Sequence, residues 1–226
     1  MDHRKGRITA SKVHSILKCR ASKYPTSIVK GIMQYYAPND FVPSLQWGRQ
    51  HEDDARQQYI TVLQQQHRNL QTSSSGLIID PAIPFMGASP DGFSTCDCCG
   101  ERTIEIKCPF SMRNVFPTAD IALANPTYCL KKDDHGKVSL SKRHGYYTQI
   151  QSQLLISHQK KCDFICWTPH GLFCETIHED KQLQDEIVSK CKESFLIYVL
   201  PEILTQRLKD TGVPVSNDQK YCYCKR

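Results

Sequence analysis

The run Arg102-Thr103-Ile104-Glu105-Ile106-Lys107 alternates apolar and charged side chains. A period of two is the pattern of a β-strand, with Ile104 and Ile106 on one face and Glu105 and Lys107 on the other. Just upstream, SPDG (89–92) places Asp91 near the end of a preceding extended segment, and a turn bearing Cys96, Cys98 and Cys99 joins the two. Such a turn can bring Asp91 back beside Glu105. The commoner use of this pattern is a structural ion pair. The other use is a metal site for cutting phosphodiesters.

Two converging carboxylates offer hard oxygen ligands to Mg²⁺, with Mn²⁺ able to substitute, and such an ion binds few protein carboxylates. The backbone carbonyl of Ile106 can add an oxygen, and Glu52 can complete the set from a helix. The ion would lower the pKa of bound water and offset charge on the scissile phosphate. Lys107 can orient or deprotonate that water and stabilise the transition state.

The 226 residues suffice for one elaborated domain. Thr9 precedes a short helix over 10–17, and a second helix covers 27–36. A longer helix, about 45–66, follows Pro43; Ala55, Tyr59, Val62 and Leu63 form its inward stripe, with Glu52 nearby. TSSSG (72–76) reads as a turn and Leu77 to Ile79 as a buried strand. Residues 131–145 read as a polar loop or exposed hairpin, and Tyr146 to His158 as a helix. A hairpin turning at Pro169-His170-Gly171 comes next, with His170 exposed, then a helix from about Lys181 that Pro201 interrupts or restarts. This order predicts an α/β or α+β domain with a central mixed sheet flanked by helices.

The net charge is +6, with Arg4, Lys5, Arg7, Lys12, Lys18, Arg20, Lys23 and Lys30 against Asp2 in the first thirty residues. Glu52, Asp53 and Asp54 form a separate acidic cluster. A solvated basic face explains the charge equally well, but positive charge beside an acidic centre also fits a polyanion held over a metal. No apolar run is long enough for a membrane span, and the start lacks a signal-peptide core, so an intracellular protein is expected. Without export, the twelve cysteines favour reduced thiols or zinc over disulfides. Cys96, Cys98, Cys99 and Cys108 are candidate zinc ligands, although C-x-C-C lacks the usual two-residue gap. Cys162, Cys166 and Cys174 fall on predicted strands and read as small buried residues.

GRITAS (6–11), WGRQHEDDAR (47–56), SPDG (89–92), IEIKCPF (104–110) and YTQIQSQLLIS (147–157) occur in one order. Together they resemble the YqaJ-like viral recombinase family, which includes the phage lambda exonuclease, within the PD-(D/E)XK nuclease superfamily. The resemblance implies a restriction-endonuclease-like core over about 1–210 and metal-dependent digestion of linear duplex DNA from 5′ ends, in recombination or mobile-element biology. It assigns Asp91 and Glu105 as metal ligands and Lys107 as the catalytic lysine. Glu52 and Gln149 match the helix acid and the helix glutamine at the active site. Arg4, Ser11 and Ser89 match residues that hold the terminal 5′ phosphate. A single-strand annealing protein and a homotrimer are the partners it suggests. A structure-selective endonuclease and a non-catalytic DNA- or chromatin-binding module of the same fold stay open as alternatives. The tail over 211–226 ends in QKYCYCKR, resembling the start of a truncated PHD finger, which points to the nucleus.

Overall fold

The alternating run at 102–107 becomes the middle strand of a five-stranded mixed sheet. The computed structural model describes residues 3–19, 24–36 and 41–214. The chain begins with β1 (Ile8–Thr9), α1 (Ala10–Leu17), α2 (Thr26–Ile32), α3 (Pro43–Gln64), β2 (Gln71–Ser73) and β3 (Met86–Gly87). The central hairpin is β4 (Gly92–Cys96) and β5 (Gly100–Lys107). Then come α4 (Asp120–Leu123), β6 (Leu130–Lys132), β7 (Val138–Leu140) and α5 (Gly145–Ser157). The strands β8 (Lys161–Thr168) and β9 (Gly171–His178) precede α6 (Lys181–Ser194), α7 (Leu200–Thr205) and α8 (Arg207–Thr211).

The sheet order is β2-β4-β5-β8-β9. β4 returns antiparallel to β5, and β9 antiparallel to β8, while β5 and β8 run parallel. A parallel pair needs a long crossover, and here it carries the β6–β7 hairpin and α5. The faces of β5 are covered as its alternation requires. Ile104 and Ile106 pack with Ala55, Tyr59 and Leu63 of α3 and with Ile165 and Trp167 of β8. Beneath α5, Tyr147, Ile150 and Leu154 pack on Cys162, Phe164 and Cys166 of β8. A third cluster joins Ile8, Val13, Val29, Met86, Ile156 and Ile187 beside the sheet.

Two expected elements differ. Thr72 and Ser73 lie in β2, not in a turn, because β4 has an open edge and their polar side chains suit an outer strand. Leu77 to Ile79 contribute only one bridge, Ile78 to Ala88. Pro81 follows closely and has no N–H with which to extend a ladder. The expected break at Pro201 is a five-residue π-helical turn, Phe195–Val199, after which Pro201 sits in the first turn of α7. Among the described residues no helix is long and apolar enough to cross a membrane. The proposed finger ligands Cys222 and Cys224 lie outside the described residues.

A buried polar network ties α3 to the sheet. Asp163 of β8 accepts from Tyr59 Oη at 2.8 Å, Arg102 Nη1 at 3.3 Å and Thr176 Oγ1 at 2.7 Å. Asp163 and Arg102 are both buried. Removing one partner of such a pair strands the other charge in the interior. Asp163→Ala is therefore expected to destabilise the fold by about 3–5 kcal/mol, measured by urea unfolding.

Candidate active site

Glu105 is fully buried at the centre of the sheet. Its Oε1 accepts from Gln149 Nε2 at 2.5 Å and its Oε2 from Gln153 Nε2 at 2.7 Å, both glutamines lying on α5. Lys107 Nζ, two residues along the same face, forms an ion pair with Oε1. The Lys107 ammonium also lies over the Tyr146 ring, 5.0 Å from its centroid. Burial pushes the Glu105 carboxyl up; Lys107 opposes this and Asp91 adds to it, giving about 7. Burial works against charge on Lys107, but Glu105 and Asp91 outweigh it and hold the ammonium in place.

The hairpin return delivers Asp91. Gly92 pairs with Ile104, the Asp91 N–H donates to the Ile104 carbonyl at 2.9 Å, and Asp91 Oδ2 accepts from the Ile106 N–H at 2.6 Å. N–H and C=O of one strand residue point to the same side. The Ile106 carbonyl therefore leaves toward Asp91, past the first residue of β4, and not into the β8 ladder. Gly92 allows this crowding: a Cβ there would lie 2.6 Å from the Ser73 carbonyl oxygen and 3.0 Å from Arg56 Nη1.

Glu52 reaches the same place from α3 and accepts from Arg56 Nη2 at 2.9 Å. Partial burial, then the charge of Asp91, raises its pKa. Glu52, Asp91, Ile106, Lys107 and Tyr146 line one cleft of about 370 Å³. The donor set fits a hard divalent cation. All the donors are oxygens, and Asp91 raises the pKa of both Glu105 and Glu52, a mutual repulsion that a cation there would relieve.

The residues expected to hold a 5′ phosphate come together in part. Arg4 Nη2 donates to Ser89 Oγ at 3.0 Å. Ser89 is tied to the acidic centre, since its carbonyl accepts from Gln153 Nε2 at 3.4 Å. The Ser11 hydroxyl hydrogen-bonds Thr9 Oγ1 at 3.3 Å. Ser11 and Ser89 each follow, by two residues, the parallel register pair Thr9–Gly87 and so leave the same end of that pair.

Cys108 does not join the other three candidate zinc ligands. It lies beyond the far end of β5, more than about 20 Å along an extended strand from Cys99, where its thiol donates to the His51 carbonyl. His67, after α3, takes the fourth place beside Cys96, Cys98 and Cys99. Gln153 was also not singled out in the sequence. Its spacing of four from Gln149 puts both amides on one helix face and was the available signal.

A mixed sheet with two hairpins, a helix on each face and an acidic cleft at the end of its central strands defines the class, and sequence comparison gives the family. Residues 1–160 match the model of the YqaJ-like viral recombinase domain, and the chain belongs to that family. No curated protein matches it in sequence. Among solved structures it is similar to an alkaline exonuclease, LHK-Exo, from Laribacter hongkongensis. The identity is 25% and the TM-score 0.65, over 91% of this chain and 94% of that one. The same enzyme in complex with dAMP gives 26% and 0.64, over 91% and 94%. A phage-related exonuclease from Haemophilus somnus 129PT shares the fold, at 16% identity and a TM-score of 0.53 over 84% of this chain and 93% of that one.

A carboxyl whose folded pKa lies above its ordinary value stabilises the fold while protonated, and that contribution is lost as pH rises through the folded value. For Glu105 the window runs from ordinary carboxylate pH up to about 7. In metal-free protein, Glu105→Gln is expected to gain stability relative to wild type across this window, by on the order of 3 kcal/mol. Urea unfolding at pH 5 and pH 8 in EDTA measures it.

Proposed function

We propose that this protein is a metal-dependent exonuclease that degrades linear duplex DNA from 5′ ends, in the processing of DNA ends for recombination. The observation that carries the reading is the meeting of Asp91, Ile106 and Lys107 at one cleft, with the buried Glu105 carboxylate paired to Lys107 behind it, in a chain of the YqaJ-like family. The similarity to an alkaline exonuclease over nearly the whole chain supports it.

A divalent ion such as Mg²⁺, when bound, supplies an acidified water and offsets charge on the phosphate. Asp91, Glu105 and the Ile106 carbonyl would hold it, with Glu52 at the cleft wall. Gln149 and Gln153 fix the orientation of the Glu105 carboxylate by donating to both of its oxygens. Lys107 acts as a fixed positive charge and not as a base, because its carboxylate neighbours favour the ammonium. It orients the attacking water and stabilises negative charge that develops on the phosphoryl oxygens. The basic N-terminal segment would hold the DNA backbone without reading its sequence.

Arg4 and Ser89, with Ser11 from the same end of the β1–β3 pair, form the proposed grip on a terminal phosphate. A guanidinium can bind two phosphate oxygens at once, and a terminal phosphate carries more charge than an internal diester. Arg4 sits on the serine two residues before Asp91, so a phosphate held there lies near the cleft.

Glu105→Ala and Lys107→Ala are each expected to lose activity by a barrier increase of about 3 kcal/mol or more, with DNA affinity retained. Cleavage at the wild-type rate by Glu105→Ala would remove the catalytic assignment. In wild type the Mg²⁺ concentration needed for half-maximal rate should rise as pH drops through about 7, where a proton on Glu105 of the metal-free protein competes with the ion.

Linear duplex with a 5′ phosphate should be digested faster than the 5′-hydroxyl form, and Arg4→Ala should reduce that preference about tenfold or more. Equal rates on the two ends, with nicking of closed circles, would instead support a structure-selective endonuclease. No Mg²⁺-dependent cleavage of any substrate would leave a DNA-binding module.

A further inference from the structure

Away from the cleft, at the tip of the β4–β5 hairpin, three thiols and an imidazole converge. The ligand atoms of His67, Cys96, Cys98 and Cys99 all lie within 4.8 Å of one another. His67 Nδ1 is 3.1 Å from Cys98 Sγ, 3.4 Å from Cys96 Sγ and 3.6 Å from Cys99 Sγ. Cys98 Sγ is 3.4 Å from Cys96 Sγ and 3.8 Å from Cys99 Sγ. A tetrahedral ion with metal–sulfur bonds near 2.3 Å would set its ligands about 3.5–3.8 Å apart. The sulfurs are too far apart for a disulfide, whose bond is about 2.05 Å. All four are close enough to share one ion.

We propose that His67, Cys96, Cys98 and Cys99 bind a single structural zinc ion, which clamps the end of α3 to the tip of the β4–β5 hairpin. Three thiolates and an imidazole are soft to borderline ligands that select zinc over the hard cation suited to the cleft. Four protein ligands close a tetrahedron and leave no position for water, which makes the site structural and not catalytic. The thiols bind as thiolates and release their protons to solvent. Three thiolates on a divalent ion leave one excess negative charge. Arg102, whose Nη2 lies 3.1 Å from Cys96 Sγ, is placed to balance it, and Arg102 is itself anchored to Asp163.

The fold around the site already holds its two halves together. Asp97 N–H donates to the Arg68 carbonyl at 3.1 Å, Asn69 Nδ2 donates to Asp97 Oδ2 at 2.7 Å, and Lys161 Nζ donates to the Cys99 carbonyl at 3.1 Å. The clamp joins the helix that bears Glu52 to the hairpin that bears Asp91 and Glu105. It does so roughly 17 Å along β4 from Asp91, so it can set the hairpin's register without taking part in the chemistry. The site owes nothing to the nuclease reading, and its test reads metal content alone.

Protein incubated with zinc and desalted without chelator is expected to retain about one equivalent by elemental analysis. Cys108→Ser and Glu105→Gln should retain the same amount, and Cys98→Ser, an exposed position, should lose it. Cobalt(II) added to metal-free wild type should give the visible absorption of a tetrahedral thiolate site, and Cys98→Ser should not. Zinc below about a tenth of an equivalent in wild type would overturn the site. Retention in both Cys98→Ser and His67→Ala would overturn it too, as would loss in Cys108→Ser.

Discussion

The buried carboxylate of Glu105 is the constraint around which the rest of the structure is arranged. A charge with no solvent access is costly unless paired and hydrogen-bonded. Glu105 has both, in the Lys107 ion pair and the two glutamine amides. Each partner imposes a structural demand. Lys107 requires an unbroken strand, so that two residues along β5 share a face. Gln149 and Gln153 require a helix laid over that face, which the β5–β8 crossover provides in α5. The Tyr146 ring, one turn earlier on α5, sits beneath the lysine charge.

The other face of the sheet fixes the acids that approach from outside. α3 packs through Ala55, Tyr59 and Leu63, so its preceding turns run past the cleft and present Glu52. Its path is held at several points. Tyr59 bonds Asp163, Gln58 accepts from Trp167 Nε1 at 2.6 Å, and His51 stacks on Trp167 with centroids 5.4 Å apart. Gly92 lets β2 and Arg56 come close to the residue after Asp91, which is the physical content of the PDG sequence. The acidic centre is thus a meeting of three independently packed elements.

The cysteines divide by environment. Cys129, Cys162 and Cys166 are buried among aromatic and aliphatic side chains under α5 and serve as small apolar residues. Cys108 borders the cleft, where burial and nearby acids push its thiol up to about 12, which keeps it protonated and unreactive. Among the described residues, Cys96, Cys98 and Cys99 meet the His67 imidazole. The same residue type therefore fills core, lines a cleft and assembles a ligand set.

What the sequence by itself determined was local and periodic. The two-residue alternation of 102–107 was enough to put Ile104 and Ile106 against a core and Glu105 beside Lys107, because strand geometry alone separates the faces. The helices over α1, α3 and α5 were legible from periodicity and from Pro43, as were the β8–β9 hairpin and the mixed α/β class. Motifs in a fixed order carried the family. Tertiary structure decided what depends on approach between distant segments. Local pattern could not show that Gln153 shares Glu105 with Gln149, that Arg4 meets Ser89 across 85 positions, or that Asp163 holds Tyr59 and Arg102. Nor could it choose between Cys108 and His67. Cys108 is near the thiols in sequence, but an extended strand carries it away, whereas His67 is remote in sequence and the helix end returns it to the hairpin tip.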